Sequence, residues 1–135
     1  MSIAMSLESL GSFLLYFAAT LAAQGLFLLL YTAVTTHREF ILIRQGNVAA
    51  AISLAGAALG FSVPLASAVV HSVSLLDMAV WSGVALVVQL IAFRAVDYAI
   101  RGISIHIEEG NIAAGITLGA ASLAIGLINA ASMSY

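Results

Sequence analysis

Two pairs of amide side chains stand at matching places in the two halves of this chain and could hydrogen-bond to a solute. Asn47 and Asn111 each follow a glycine at the start of an apolar segment, while Gln24 and Gln89 lie near the middle of two other apolar segments. Together they could line a polar path through a membrane protein. The alternative is that the asparagines cap helices and the glutamines hydrogen-bond between helices, since amides in hydrocarbon need partners. Asn129 fits the same interhelical explanation.

A second candidate is a cluster of three charges near the end of an apolar segment. Arg94, Asp97 and Arg101 are spaced by three and four residues, which predicts that they share one face of a helix. Arg94 would lie about 10 Å from the helix end, within reach of the membrane interface, and Asp97 could neutralise it. The cluster is therefore either a salt-bridged anchor at the interface or a contact for an ion, because charges inside a membrane often serve function.

Two pairs of His and Glu residues superficially resemble metal ligands. His37 precedes Glu39 by two residues, and His106 precedes Glu109 by three. The chain has three His and no Cys, the two pairs do not occupy repeated positions, and both are expected to be solvated. We therefore predict no metal site and no cofactor. The sequence also shows no nucleophile with a base, no phosphate-binding glycine loop and no facing carboxylates, so we predict that the protein is not an enzyme.

The composition is that of a protein dissolved in lipid. Of the 135 residues, 63% are hydrophobic and 7% are charged, more apolar surface than a soluble domain of this length could bury. We predict one transmembrane domain covering residues 1–135. A net charge of −2 with four basic residues argues against nucleic acid as a partner. The N-terminus carries Glu8 and no basic residue, so the first apolar segment is predicted to be a retained span and not a signal peptide.

Four apolar segments are long enough to cross a bilayer, which predicts an all-α membrane protein with four transmembrane helices. Their predicted limits are about 10–34, 47–70, 78–100 and 111–133. Asp77 is expected to cap the third helix, and Pro64 to kink the second. The polar connectors 35–45 and 102–109 are expected at the headgroup level or as extensions of the helix ends.

One stretch of sequence occurs twice. Residues 110–124, GNIAAGITLGAASLA, repeat residues 46–60, GNVAAAISLAGAALG, at an offset of 64, with eight of fifteen positions identical and no gap. This predicts a tandemly duplicated helical hairpin, with repeat one at about 10–70 and repeat two at about 78–133. Two spans return the chain to its starting side, so both hairpins should enter the membrane from the same side, as parallel repeats.

Small residues four apart occur in both copies of the repeated helix and would let helix backbones approach closely in lipid. They are Ala51, Ala55, Gly56 and Gly60 in the first copy, and Gly115, Gly119, Ser122 and Gly126 in the second. The glycine version falls on a different face in each copy. One explanation is that these faces pack the two repeats together. The alternative is that one face packs internally and the other contacts a second copy of the chain, giving a homo-oligomer.

The basic residues predict the orientation. Arg38, Arg44 and Arg101 lie in the connectors within the repeats, and Arg94 lies near the same side, whereas the opposite side has none. The positive-inside rule then places these connectors in the cytoplasm and both termini in the periplasm.

The repeated motifs resemble the YjfL-like family of small bacterial membrane proteins (domain of unknown function 350). The matching segments are GNVAAA at 46–51, with Gly56 and Leu59-Gly60, and GNIAAG at 110–115. The C-terminal segment GLINAA at 126–131 also resembles the family's last helix. The resemblance implies a four-span bacterial inner-membrane protein. The family has no settled activity, and its genes often neighbour phage-shock-A-like coat proteins and polyamine-linked enzymes, which implies a link to envelope stress.

Two hypotheses for function follow. The first is a non-enzymatic, self-associating protein of the bacterial inner membrane that serves as a scaffold or an envelope-stress-linked subunit. The second is a small channel or transporter subunit whose path is lined by the repeat-related amides. The expected partners are the lipid bilayer, further copies of the chain and a peripheral or membrane protein.

Overall fold

The computed structural model describes residues 2–133, which form six helices. They are α1 (Ile3–Val34), α2 (Glu39–Arg44), α3 (Val48–His71), α4 (Leu75–Ala99), α5 (Ile103–Glu108) and α6 (Ile112–Ser132). Four of them, α1, α3, α4 and α6, are long and apolar enough to cross a membrane. The prediction of an all-α, four-span protein is therefore confirmed, and the two short helices α2 and α5 occupy the predicted connectors.

The duplicated Gly-Asn motif forms a turn followed by a helix cap in both copies. Gly46 and Gly110 have φ angles of +83° and +82°, a left-handed conformation that favours glycine. The side chains of Asn47 and Asn111 then accept hydrogen bonds from backbone N–H groups in the first turns of α3 and α6, at 3.0 and 3.3 Å. The capping alternative therefore explains both asparagines.

Two helices begin earlier than predicted. α1 starts at Ile3 and not near residue 10. α4 starts at Leu75 and not near residue 78, because Ser74 and not Asp77 is its N-cap. The Ser74 hydroxyl accepts from the Asp77 N–H at 3.1 Å, and the Asp77 carboxylate accepts from the Val73 N–H at 3.1 Å. These reciprocal bonds resemble a capping box, in which the acidic residue lies in the first turn.

The helix α3 continues through Pro64 as one helix from Val48 to His71. Proline has no N–H, so the carbonyl of Gly60, four residues earlier, lacks its usual helical donor. The loss of this hydrogen bond is accommodated within a continuous helix, and the freed carbonyl faces Gly126 of α6. The kink at Pro64 stays a prediction.

The centre of the molecule is the interface between α3 and α6. Along it, Ala49 meets Gly115, Gly56 meets Gly119, and Gly60 meets Gly126. Residue numbers increase together on both helices, so α3 and α6 run parallel. α1 lies at the periphery: between residues 2 and 18, Tyr16 is partly buried and the other residues are exposed, so lipid would surround this half of the helix.

The helix boundaries reproduce the sequence offset. α5 spans the residues of α2 shifted by 64, and α6 begins 64 residues after α3. The ends of α1 and α4 differ by 65. With α3 and α6 parallel, this arrangement fits two hairpins that enter from the same side. Their origin by duplication stays a prediction.

Candidate functional site

The predicted glycine faces lie in the α3–α6 interface. A Cβ atom on Gly56, Gly60, Gly115 or Gly126 would overlap the backbone of the opposite helix, and one on Gly119 would lie 2.9 Å from the Ile52 carbonyl oxygen. Ser122 is also buried there. Most of the predicted packing residues therefore join the two repeats within one chain. The remaining two predicted packing residues are less buried than these: Ala51 is half-buried and Ala55 is exposed.

A second small-residue face of α6 remains exposed. We call it the outer α6 stripe, and it consists of Ala113, Thr117, Ala120, Ala124 and Ala131. The spacings of four, three, four and seven residues keep these positions on one side of the helix. No other helix within residues 2–133 buries this side. It is therefore available for contact with lipid or with another helix.

The two glutamines predicted near mid-span make equivalent hydrogen bonds in the two hairpins. Gln24 Nε2 donates to the Ala58 carbonyl at 3.1 Å, and Gln89 Nε2 donates to the Ser122 carbonyl at 3.3 Å. Ala58 and Ser122 are 64 residues apart, so they are matching positions of α3 and α6. Each glutamine thus joins the first helix of its hairpin to the second.

The asparagines also bond to backbone groups. Asn47 Nδ2 donates to the Ile107 carbonyl at 2.8 Å, which links the start of α3 to α5 in the other repeat. Asn129 Nδ2 donates to the Ala85 carbonyl at 3.3 Å, as the interhelical explanation predicts. Asn111 caps α6 and is exposed. The four amides suggested as a polar path are therefore not brought together by hydrogen bonds to one another; Asn47, Gln24 and Gln89 bond within the protein.

The charge cluster is only partly assembled. Arg94 Nη1 lies 3.8 Å from Asp97 Oδ2, and the Arg94 side chain is 60% exposed, so this is a surface ion pair. The prediction that Arg101 shares their helical face is wrong. α4 ends at Ala99, and the left-handed Gly102, with φ of +78°, turns the chain away, so Arg101 lies in the turn beyond the helix.

The prediction that His37 and Glu39 are solvated is also wrong. Both side chains are fully buried, with relative exposures of 0%. The segment after α1 folds inward against α5, where His37 Nδ1 lies 3.0 Å from the Ser104 hydroxyl. On the other side of the ring, His37 Nε2 lies 3.2 Å from Glu39 Oε1. By contrast, His106 and Glu109 are exposed, 3.8 Å apart, as predicted.

Tyr31 of α1 completes this group. It is 1% exposed, its ring meets Phe93 edge-on with 5.3 Å between ring centroids, and its phenol interacts electrostatically with Glu39. We call Tyr31, His37, Glu39 and Ser104 the buried polar cluster. It brings together the three helices α1, α2 and α5, the connector between α1 and α2, and both repeats.

Sequence reasoning missed this cluster, although the repeat contained a signal. At the offset of 64, the partner of Glu39 is Ile103, an apolar residue that begins α5 and is 0% exposed. An isoleucine at the matching position predicts a buried environment. The polar residues around Glu39 suggested instead that its side chain is exposed to solvent. Only the comparison with the matching residue of repeat two predicts that it is buried.

The fold and the packing define a multi-pass α-helical membrane protein whose two helical hairpins meet along a glycine-rich interface. The chain belongs to the family described as Domain of Unknown Function (DUF350), whose profile matches residues 5–133. It is 40% identical over 129 residues to the UPF0719 inner membrane protein YjfL of Escherichia coli K12, covering 96% of this chain and 98% of that protein. The protein of the same name from Escherichia coli O157:H7 matches to the same extent. No solved structure matches the chain.

These comparisons confirm the resemblance to the YjfL-like family. Together with the four apolar helices, they make the chain a multi-pass protein of the inner membrane.

Proposed function

We propose that this protein is a non-enzymatic subunit that self-associates in the inner membrane through the outer α6 stripe and acts as a scaffold or as part of an envelope-stress assembly. The observation that carries the proposal is the stripe itself. The glycine face of α6 is buried against α3. The opposite side of α6 is exposed, and it carries Ala113, Ala120, Ala124 and Ala131.

The length and composition of the stripe suit a helix from a second copy. Eighteen residues separate Ala113 from Ala131, which corresponds to about 27 Å of helix, close to the roughly 30 Å thickness of the hydrocarbon core. In lipid, helices associate through close van der Waals packing, and small side chains allow that approach. A symmetric pair of chains would place the same stripe on both sides of one interface, the commonest arrangement of homo-oligomers.

The channel alternative has less support. The hydrogen bonds of Gln24, Gln89 and Asn47 to backbone carbonyls account for these amides as packing elements. Their amide nitrogens therefore need no solute as a partner, whereas the Gln89 side-chain oxygen is buried without a hydrogen-bond partner among the described residues. Ion currents through planar bilayers containing the purified protein would favour the channel alternative over the scaffold.

We place the short helices α2 and α5 on the cytoplasmic side and the termini in the periplasm. The support is the distribution of basic residues, because Arg38, Arg44, Arg94 and Arg101 are all exposed near that end of the bundle. A peripheral protein partner would then dock there. The proposed link to envelope stress rests on the family resemblance, not on any residue of this chain.

A substitution on the stripe tests self-association. The double variant Ala120→Leu/Ala124→Leu should raise the dissociation constant of the dimer at least tenfold, because the larger side chains hold the helix backbones apart. Ala95→Leu, at an exposed position of α4, is the matched control and should leave dimerisation unchanged. Förster transfer between labelled chains in liposomes of increasing lipid-to-protein ratio measures the constant. A wild-type chain that stays monomeric at every ratio, or a control that dissociates equally, would contradict the proposal.

A further inference from the structure

We propose that a cavity between α1 and α4 binds a neutral, lipid-soluble molecule through one carbonyl group, which accepts a hydrogen bond from the Ser82 hydroxyl. The cavity has a volume of about 370 Å³, and its α4 wall consists of Leu75, Met78, Ala79, Ser82, Gly83 and Leu86. We call it the α1–α4 cavity. Its lining residues belong to α1, α3 and α4, so it is separate from the outer α6 stripe. This inference goes beyond the proposed function and is independent of self-association.

The first argument is the Ser82 hydroxyl, which is buried without a hydrogen-bond partner among residues 2–133. Serine and threonine inside a helix can donate to a carbonyl of the preceding turn. Thr20, Ser53 and Ser62 do so in this chain, at 2.6, 3.0 and 2.7 Å. Ser82 is 6% exposed, so bulk solvent does not supply the missing partner. A buried polar group without a partner is unfavourable, and an acceptor on a molecule in the cavity would satisfy it.

The second argument comes from comparing the two repeats. The glutamines that make equivalent hydrogen bonds set an offset of 65 residues between α1 and α4. At this offset, Phe13 and Phe17 of repeat one correspond to Met78 and Ser82 of repeat two. An added Cβ on Gly83 would also meet no atom within 4 Å. The cavity therefore lies beside α4 residues that are smaller than their counterparts, and its hydroxyl occupies a position where repeat one has a hydrocarbon side chain.

The walls decide the chemistry of the ligand. Ser82 is the one polar side chain among the lining residues, and the others are Ala, Gly, Leu, Met or Phe. A charged group would find no opposite charge there, so the ligand is neutral. A buried water molecule needs about two to four polar partners, more than this cavity offers. A carbonyl oxygen only accepts, so one donor satisfies it, whereas a ligand hydroxyl would bring a second proton without an acceptor.

The position of Ser82 places the site inside the membrane. α4 has 25 residues, which corresponds to about 37 Å of helix, and the hydrocarbon core is about 30 Å thick. Ser82 lies about 10 Å along the helix from Leu75, so it is within the core. Lipid is the solvent at this depth, and hydrocarbon chains accept no hydrogen bond. The ligand therefore enters from the lipid and brings its own acceptor.

The experiment is a titration of the full chain in lipid nanodiscs with decylubiquinone, a neutral carbonyl compound that quenches tryptophan fluorescence. Trp81, the single tryptophan of the chain, precedes Ser82 and reports binding. The wild type should show saturable quenching at about one molecule per chain. Ser82→Ala should weaken binding about tenfold, because it removes the hydrogen bond. Ser53→Ala is the matched control and should bind like the wild type, since its hydroxyl bonds to the Ala50 carbonyl and does not line the cavity.

Filling the space tests the cavity separately from the hydrogen bond. Gly83→Leu should abolish saturable quenching, because the new side chain occupies the cavity. Gly25→Leu is its control and should bind normally, since Gly25 also has no atom within 4 Å of an added Cβ and does not line this cavity. Decylbenzene, which has the same alkyl chain and no carbonyl, should compete for the wild-type site about tenfold more weakly than decylubiquinone.

Four results would overturn the proposal: a wild type without saturable quenching, a Ser82→Ala protein that binds as tightly as the wild type, decylbenzene that competes as well as decylubiquinone, or equal losses in Gly83→Leu and Gly25→Leu. The second and third would mean that an ordinary hydrocarbon chain fills the cavity. Circular dichroism of each variant shows whether it is folded. If Gly83→Leu does not fold, the comparison of Ser82→Ala with Ser53→Ala decides, because both changes remove one hydroxyl group.

Discussion

Two asparagines with the same local structure have different tertiary roles. Asn47 and Asn111 both follow a left-handed glycine, share a ψ angle of 103° and cap their helices. Only Asn47 has its amide nitrogen bonded across the repeats, to the Ile107 carbonyl, among the bonds of the described residues. The duplicated motif thus provides the cap twice and the connection between the repeats once.

Substituting each asparagine separates these two roles. Asn111→Ala should lower the free energy of unfolding by about 1 kcal/mol through loss of the cap. Asn47→Ala should lower it by about 2 kcal/mol, because it also loses a hydrogen bond that contributes about 1 kcal/mol. Denaturation in mixed micelles, followed by circular dichroism, measures both. Equal losses would show that the bond to Ile107 does not stabilise the protein.

At the residue scale, the sequence predicted roles that depend on neighbours in the chain and missed one that depends on distant contacts. The caps follow from the Gly-Asn spacing alone. The burial of His37 depends on Ser104, 67 residues away, which no local pattern around His37 indicates. Its polar neighbours Thr36 and Arg38 are exposed. The polar composition of this segment therefore predicted their exposure correctly and wrongly predicted that His37 between them is exposed.

The contact between α3 and α6 depends on the absence of side chains at a few positions. Pro64 frees the carbonyl of Gly60, and Gly126 lies directly against that oxygen. A weak Cα–H···O contact from Gly126 can partly replace the missing N–H donor. A larger residue at position 126 would push the two helices apart and remove this contact. Proline and glycine on different helices therefore act together, although either alone would weaken a helix.

Gly126→Ala tests this arrangement. It should lower the free energy of unfolding by about 1–3 kcal/mol, because the added methyl group overlaps the Gly60 carbonyl and forces the helices apart. Gly83→Ala in α4 is the matched control, since no atom lies within 4 Å of its added Cβ, and it should raise stability by up to about 1 kcal/mol. The same denaturation assay applies. A Gly126→Ala protein as stable as Gly83→Ala would mean that the two helices are further apart than the structure shows.

At the element scale, hydrophobic length predicted all four spans, and the repeat predicted that α3 and α6 run parallel. The start of α4 was missed because Asp77 was taken as the cap, whereas the spacing of Ser74 and Asp77 is that of a capping box. The limits of α1 could not be read from hydropathy, since its first turns carry polar residues such as Ser6 and Glu8 and remain helical.

At the scale of the whole molecule, the burial is uneven. α3 has nine buried residues along its length, whereas α1 has two, Phe27 and Tyr31, both in its C-terminal half. α3 therefore lies at the buried centre, and α1 packs against the bundle mainly near the connectors. Three of the buried polar residues of repeat one, Thr35, His37 and Glu39, lie in or beside its connector, at the end of the bundle where the basic residues also lie.

The orientation of this bundle is testable, because the chain has no cysteine and each engineered thiol is the only one. Met5→Cys and Val73→Cys, both exposed, should react with a membrane-impermeant maleimide in intact spheroplasts. Gln45→Cys should react only after lysis, because the basic residues hold its side of the membrane in the cytoplasm. A reversed pattern would invert the orientation and keep the fold. Labelling of Met5→Cys and Val73→Cys from opposite compartments would refute two hairpins entering from one side, and with them the parallel contact of α3 and α6.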